Sequence, residues 1–363
     1  MPSSFLVFCS DRCPWRTLFA LAVPPMLSSP AITASSQPNS NTRLSRANAY
    51  TVSSRAKRGI SLFVRRAAIF CLTALLLLCS SLNAQNRPAQ AKIYGIALVR
   101  LGVSDLERSR TFYHQNVGFY PLTAGCFSPP GIATCYHLNS SQQLEIVSGS
   151  SAVNAVETIG FQVSDLSQMR MFLLANGIKC GGVTDSNSGD KFIEAHDPEG
   201  HRILFISLGG KATSLSGYPG DKHLIHAGFV VRDRAAMEHF YKDILGFKPY
   251  WHGGMKEDQT DWVSLQVPDG TDWVEFMVNV PLNADKHTLG VMNHIALGVP
   301  DIHAAAKQLL TNGMKLTEEP KIGRDGKWQL NLYDPDQTRV ELMEFTPVEK
   351  PCCSEYTGPH PKP

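Results

Sequence analysis

Between Lys92 and Phe345 the chain repeats one short plan four times, in two alternating versions, and a repeat of this kind limits the available folds more than composition does. In the first version Val103-Ser104-Asp105 leads to Phe112-Tyr113 and Gly118-Phe119, and Val231-Arg232-Asp233 leads to Phe240-Tyr241 and Gly246-Phe247 at identical offsets. In the second, Val163-Ser164-Asp165 leads to Leu173-Leu174 and Asn176-Gly177, and Val299-Pro300-Asp301 leads to Leu309-Leu310 and Asn312-Gly313. Each Asp reads as a helix N-cap and each of these last two glycines as a C-cap. Asp197-Pro198 and Asp334-Pro335 read as turns ahead of a final strand. One unit is then a strand, a helix and three more strands in about 55 residues, too little to bury both faces of its own sheet. The expected architecture is α+β: four βαβββ modules paired into two domains, 92–208 and 223–347. A Gly- and Ser-rich linker at 209–222 joins them, and a Pro-rich irregular tail occupies 348–363.

The third and fourth modules carry a second recurrence. His226 and His294 stand seven residues before Asp233 and Asp301, and Glu275 and Glu341 follow them by 49 and 47 residues. Side chains alternate across a strand, so His294, Ala296 and Gly298 share one face while Ile295, Leu297 and Val299 share the other. The same parity sets Glu275 against Val274 and Phe276, and Glu341 against Val340 and Leu342. A carboxylate aimed into a sheet cavity is costly without a cation or strong donors. One divalent metal held by His226, Glu275, His294 and Glu341 satisfies all four, and two carboxylates balance its charge.

Trp251, Trp262, Trp273 and Trp328 fall around the strands of that cavity and are candidates for its lining. Arg324 and Lys327 precede the last strands and are candidates for holding a substrate carboxylate or phosphate, although a solvated loop is the commoner setting for such residues. His252 is a candidate acid/base. His196 and His201, beside the Asp197-Pro198 turn, are assigned no role.

The first 84 residues read differently. Arg55, Lys57, Arg58, Arg65 and Arg66 precede a twelve-residue apolar run from Ala67 to Leu78, and Leu82-Asn83-Ala84 offers a small-residue cleavage site. Such a run is short for a bilayer span and suits a secretory signal cleaved near Ala84. An uncleaved anchor and lipidation at Cys79 are the alternatives. Residues 1–84 are thus a leader whose part upstream of Arg55 has the character of an overextended start, and the mature chain is expected to be secreted or periplasmic with no membrane span. Cys126, Cys135, Cys180, Cys352 and Cys353 remain after the leader; in an oxidising compartment Cys126 and Cys135, bracketing a Ser-Pro-Pro-Gly loop, suit a disulfide. A formal net charge of +2 over 363 residues leaves no basic footprint for nucleic acid.

The paired openings at Asp105, Asp165, Asp233 and Asp301, the Phe-Tyr and Gly-Phe pairs and the Asp-Pro turns resemble the vicinal oxygen chelate superfamily, which includes glyoxalase I, bleomycin and fosfomycin resistance proteins and extradiol dioxygenases. The resemblance covers both halves from about Ile93 to Phe345. It implies paired modules curving around a metal and its bidentate oxygen substrate, with ligands at His226, Glu275, His294 and Glu341, a set like that of the glyoxalase I branch. The same mapping on the first half gives Leu98, Glu145, Thr158 and Leu204, so that half is expected to bind no metal.

The expected function is that of a glyoxalase-like lyase or isomerase. One divalent Fe, Ni, Co, Mn or Zn ion would chelate vicinal oxygens of a small substrate, and Glu275 or Glu341 would remove a proton. A metal-poor first half followed by a metal-bearing second half also resembles the extradiol dioxygenases, with Fe(II) on a His226, His294 and Glu341 triad. That subfamily's pattern has a His where Trp328 stands and a Tyr two residues ahead of Asp-Pro, whereas Tyr333 abuts Asp334. The third alternative is a ligand-sequestering protein of the bleomycin resistance type, which needs no metal.

Overall fold

The computed structural model describes residues 88–122, 125–149, 155–209 and 222–363. The expected leader and residues 210–221 of the expected linker lie outside the described residues.

The four modules fold as their repeats predict. The first is β1 (Ile93–Val103), α1 (Leu106–Arg110), β2 (Tyr120–Pro121), β3 (Ala133–Asn139) and β4 (Gln142–Ser148); the second is β5 (Val156–Val163), α2 (Leu166–Ala175), β6 (Thr184–Asp185), β7 (Lys191–His196) and β8 (Arg202–Ser207). The third is β9 (His223–Val230), α3 (Arg234–Glu238), β10 (Lys248–Gly253), β11 (Trp262–Gln266) and β12 (Trp273–Met277). After a short helix α4 (Lys286–Met292) comes the fourth: β13 (His294–Val299), α5 (Ile302–Thr311), β14 (Lys321–Ile322), β15 (Trp328–Tyr333) and β16 (Arg339–Glu344).

All four expected caps form: the carboxylates of Asp105, Asp165, Asp233 and Asp301 accept backbone N–H groups of the first helical turn. Gly177 and Gly313 take φ of +78° and +82°, the left-handed conformation a C-cap needs. One feature escaped the repeat: α1 and α3 each run on into a single π-helical turn carrying the Phe-Tyr pair, Thr111–Asn116 and His239–Ile244.

Two eight-stranded sheets are present among the described residues, in the orders β2-β3-β4-β1-β5-β8-β7-β6 and β10-β11-β12-β9-β13-β16-β15-β14. In each, the first strands of two modules pair antiparallel at the centre, β1 with β5 and β9 with β13. The alternation read from sequence holds. Ile295, Leu297, Val299, Val274, Phe276, Val340 and Leu342 join the helix-covered core, whereas Ala296 belongs to a separate cluster with Tyr250, Trp251 and Trp273 on the opposite face.

The two halves bind through the motifs that carried the repeat. Tyr113 donates to the carboxylate of Asp334 at 3.0 Å, and Tyr241 donates to that of Asp197 at 3.3 Å. Each Phe-Tyr pair thus reaches the Asp-Pro turn of the other half. Ser104 likewise bonds Asp336, and the backbone of Arg232 and Asp233 bonds Glu199. The tail after Lys350 has neither helix nor strand but is tied down: Thr357 N–H donates to the Tyr250 carbonyl, Trp251 Nε1 to that of Cys352, and Tyr356 hydroxyl to Asp325. Among the described residues no helix is long and apolar enough to cross a membrane.

Candidate metal centre

Strand order brings the four candidate ligands together. Glu275, His226, His294 and Glu341 sit on β12, β9, β13 and β16, four consecutive strands of the second sheet, one residue on each. In register, Gly228 lies opposite both His294 and Glu275, and Ala296 lies opposite both His226 and Glu341. A Cβ on Gly228 would lie 2.0 Å from the His294 ring, so only glycine leaves room for that imidazole.

The two Nε2 atoms are 3.0 Å apart with the rings at 88°. Glu275 Oε2 is 3.4 Å from His294 Nε2 and 4.0 Å from His226 Nε2; Glu341 Oε2 is 3.6 Å from His226 Nε2 and 3.9 Å from His294 Nε2. His226, Glu275 and His294 form a compact ligand group whose atoms all lie within 4.8 Å of one another. All four side chains are buried or nearly so.

Protonation suits a cation. Burial pushes both imidazoles well below their usual pKa, leaving neutral rings with lone pairs to offer. His294 Nδ1 lies 3.2 Å from the Met292 carbonyl, which favours the tautomer with Nε2 unprotonated. Burial raises Glu341 to about 7, with Arg339 opposing and Glu275 adding to the rise. A buried carboxylate in that condition lacks an adequate counter-charge. Two imidazole nitrogens each about 2.1 Å from one metal at a right angle lie about 3.0 Å apart, the separation found here, so the residues fit a divalent ion. Ser264 hydroxyl donates to Glu275 at 3.1 Å. Arg339 lies 2.8 Å from His294 Nε2 and is the cation now in contact with the set.

The remaining candidates separate. Trp273 lies against the His226 ring, 4.6 Å between centroids, and Trp251 and Trp262 stack nearby. Trp328 does not line this face; it packs on His303 of α5, because the opposite parity of β15 carries Lys327, Gln329 and Asn331 to the side of Glu341. His252 is exposed on edge strand β10, away from the buried four, because an irregularity between Pro249 and Trp251 shifts the alternation there. Its placement gives no support to an acid/base role. Arg324 is exposed beside Cys352, whereas Lys327 is fully buried with its pKa lowered to about 8 by burial, against the pull of Asp325, Glu341 and Glu275. Cys126 and Cys135 are bonded, as are the adjacent Cys352 and Cys353. Sequence reasoning missed Gly228 and Arg339; the small-residue alternation of Ala227-Gly228 was the only available signal for the first.

The family model for the Glyoxalase/Bleomycin resistance protein/Dioxygenase superfamily matches residues 223–342. A lactoylglutathione lyase of Haemophilus influenzae is 27% identical over 123 residues, 33% of this chain and 91% of that protein. A probable chloroplastic lactoylglutathione lyase of Arabidopsis thaliana is 25% identical over 162 residues, 41% of this chain but 46% of the relative, so the chain spans less than half of it. Among solved structures, homoprotocatechuate 2,3-dioxygenase of Brevibacterium fuscum in complex with 3,4-dihydroxyphenylacetate aligns with a TM-score of 0.51 at 18% identity, covering 75% of this chain and 84% of that one. Coverage of that extent includes both sheets, and at such identity it speaks for the fold. Residues 223–342 thus match the glyoxalase/bleomycin resistance protein/dioxygenase superfamily, and the paired modules of both halves share the fold of the dioxygenase.

Proposed function

We propose that this protein is a metal-dependent lyase or isomerase of the glyoxalase type, acting on a small substrate with vicinal oxygens in an oxidising, extracytoplasmic compartment. The observation that carries this reading is the position of Glu275, 3.4 Å from His294 Nε2 and inside the same compact group as His226. A two-His, two-Glu set uses it; a two-His, one-carboxylate triad leaves it idle. The two lactoylglutathione lyase relatives support the same branch, and the Cys126–Cys135 disulfide supports the compartment.

His226, Glu275, His294 and Glu341 would hold the ion, which as a Lewis acid would stabilise charge developing on the substrate's adjacent oxygens. Glu341, buried on β16 beside the strand of His294, would be the carboxylate to leave the ion and take a proton from the carbon beside a carbonyl. Glu275 stays oriented by the Ser264 hydroxyl. Trp273 walls the centre on the His226 side and excludes water there.

Two other readings have one observation each. Fold likeness to an extradiol dioxygenase favours Fe(II) on His226, His294 and Glu341. The contact of Arg339 with His294 favours a metal-free ligand-sequestering protein, since a guanidinium already serves as the local cation.

Elemental analysis of anaerobically purified full-length protein, beside a His226→Ala/His294→Ala variant, separates them. About one nickel, cobalt, manganese or zinc per chain, lost in the variant, supports the lyase or isomerase. Iron with ring opening of catechols supports the dioxygenase. Absence of metal after reconstitution overturns both enzymes.

A further inference from the structure

The reaction just described leaves one buried ion unused. Lys327 is fully buried, and its Nζ has no hydrogen-bond partner. The ammonium lies in an aromatic box, 5.0 Å from the Trp273 ring, 5.1 Å from Tyr356 and 5.7 Å from Tyr250. Cation–π contacts offset only part of its dehydration, and an ammonium buried without an acceptor remains costly. Asp325 is close in sequence, but its oxygens accept from Lys327 N–H, the Gln329 amide and the Tyr356 hydroxyl instead of from Nζ.

The box adjoins the metal centre. Trp273 forms one wall of it and touches the His226 ring with its centroid 4.6 Å away. Lys327 shares the parity of Asn331, which pairs with Glu341, so its side chain belongs to the face that carries the four ligands. Trp273 Nε1 is a second buried donor without a partner in the same wall. Charge points the same way. A divalent ion balances Glu275 and Glu341, Asp325 balances Lys327, and Arg339 beside His294 leaves one positive charge over.

We propose that Lys327 forms an anion subsite beside the metal centre and receives the carboxylate of the substrate, which is therefore a small 2-hydroxy- or 2-oxocarboxylic acid. This deepens the metal reading and rests on it only for the substrate's second oxygen. The C-terminal tail then contributes to the site, because Tyr356 closes the box and is held there through Asp325.

The test compares glycolate with its neutral isostere glycolamide, with binding to full-length protein measured by calorimetry in metal-loaded and metal-free samples whose metal content is determined first. Wild type is expected to prefer glycolate at least tenfold. Lys327→Met should lose that preference while keeping its metal content and its glycolamide affinity, and Lys327→Arg should keep the preference. Equal glycolate affinity in wild type and Lys327→Met, or no glycolate binding by wild type, overturns the proposal. If no sample takes up metal, the metal reading fails, and the metal-free comparison alone decides the role of Lys327.

Discussion

The two halves of the chain build the same sheet and solve the same problem in opposite ways. Glu145 on β4 occupies the place of Glu275 on β12, buried on the same side of a central strand. In the second half, the partner residue across from the Glu is Gly228, and the space it leaves holds the His294 ring. In the first half that position is Arg100, whose guanidinium reaches Glu145 at 2.8 and 3.1 Å. Ser128, in the loop closed by Cys126–Cys135, adds backbone and hydroxyl donors at 2.7 Å each. One carboxylate is neutralised by an arginine of its own module, and the other stands in the candidate ligand set. Arg100 in place of Gly228 is one of the differences, beside Leu98, Thr158 and Leu204 in place of His226, His294 and Glu341.

The largest expected effect comes from moving that difference. Gly228→Arg should place a guanidinium among Glu275, His226 and His294 and abolish metal uptake, from about one ion per chain to none by elemental analysis. Far-ultraviolet circular dichroism should stay native provided the His294 ring turns aside, since a Cβ at 228 meets that ring whereas on the β5 side Arg100 faces only Thr158. Metal retained at wild-type level would break the comparison.

The reverse experiment removes Arg100. Arg100→Met leaves Glu145 charged and fully buried, and breaking a buried pair of this kind costs about 3–5 kcal/mol. Adding Glu145→Leu should recover most of that loss, since an apolar pair of similar volume needs no counter-charge. Denaturant midpoints of the three proteins check the order, and a mild single variant would mean that Ser128 alone satisfies Glu145.

Much of this was legible beforehand. Val-x-Asp openings located the caps of the four module helices, though not that of α4 at Asp285, and parity alone put four ligand candidates on one face, because both depend on neighbours a few residues away. What was not legible depended on register and on distant stretches. Gly228 gains its meaning from a ring 66 positions downstream. Lys327 reads as a loop lysine until Tyr250, Trp273 and Tyr356 are brought around it. His252 and Trp328 stand away from the cavity for related reasons: an irregularity on β10 breaks the alternation, and the turn into β15 sets a parity no local pattern reveals.

The contacts that join the halves give a pH test. Burial raises Asp334 to about 6 from an ordinary 3.8, while backbone bonds from Thr338 and the Tyr113 hydroxyl pull it down. The folded chain therefore holds this proton more tightly than the unfolded chain does, so the group favours folding below pH ~4 and that contribution is lost as pH rises through 6. A shift of this size corresponds to about 3 kcal/mol at most. Asp334→Asn should flatten the slope of stability against pH between 4 and 6.5 in urea titrations; an unchanged slope would show that other buried groups set it.

The smallest effect is also the most discriminating. Tyr113 and Tyr241 reach across the interface to equivalent carboxylates, yet those carboxylates are not equally served. In both Asp-Pro turns, Oδ1 takes two backbone N–H groups. Oδ2 of Asp197 has a second partner in His201 Nδ1 at 2.8 Å, whereas Thr338 stands at the matching position after Asp334 and donates only its backbone N–H. Tyr241→Phe thus leaves a carboxylate still hydrogen-bonded on both oxygens, and should cost under about 1 kcal/mol. Tyr113→Phe strips Oδ2 of Asp334 of its hydroxyl donor inside the core, and should cost about 2 kcal/mol, the penalty for a buried acceptor left unmet. Equal losses in the two variants would mean that His201 does not support Asp197, and that the two crossings between the halves are as alike in energy as they are in sequence.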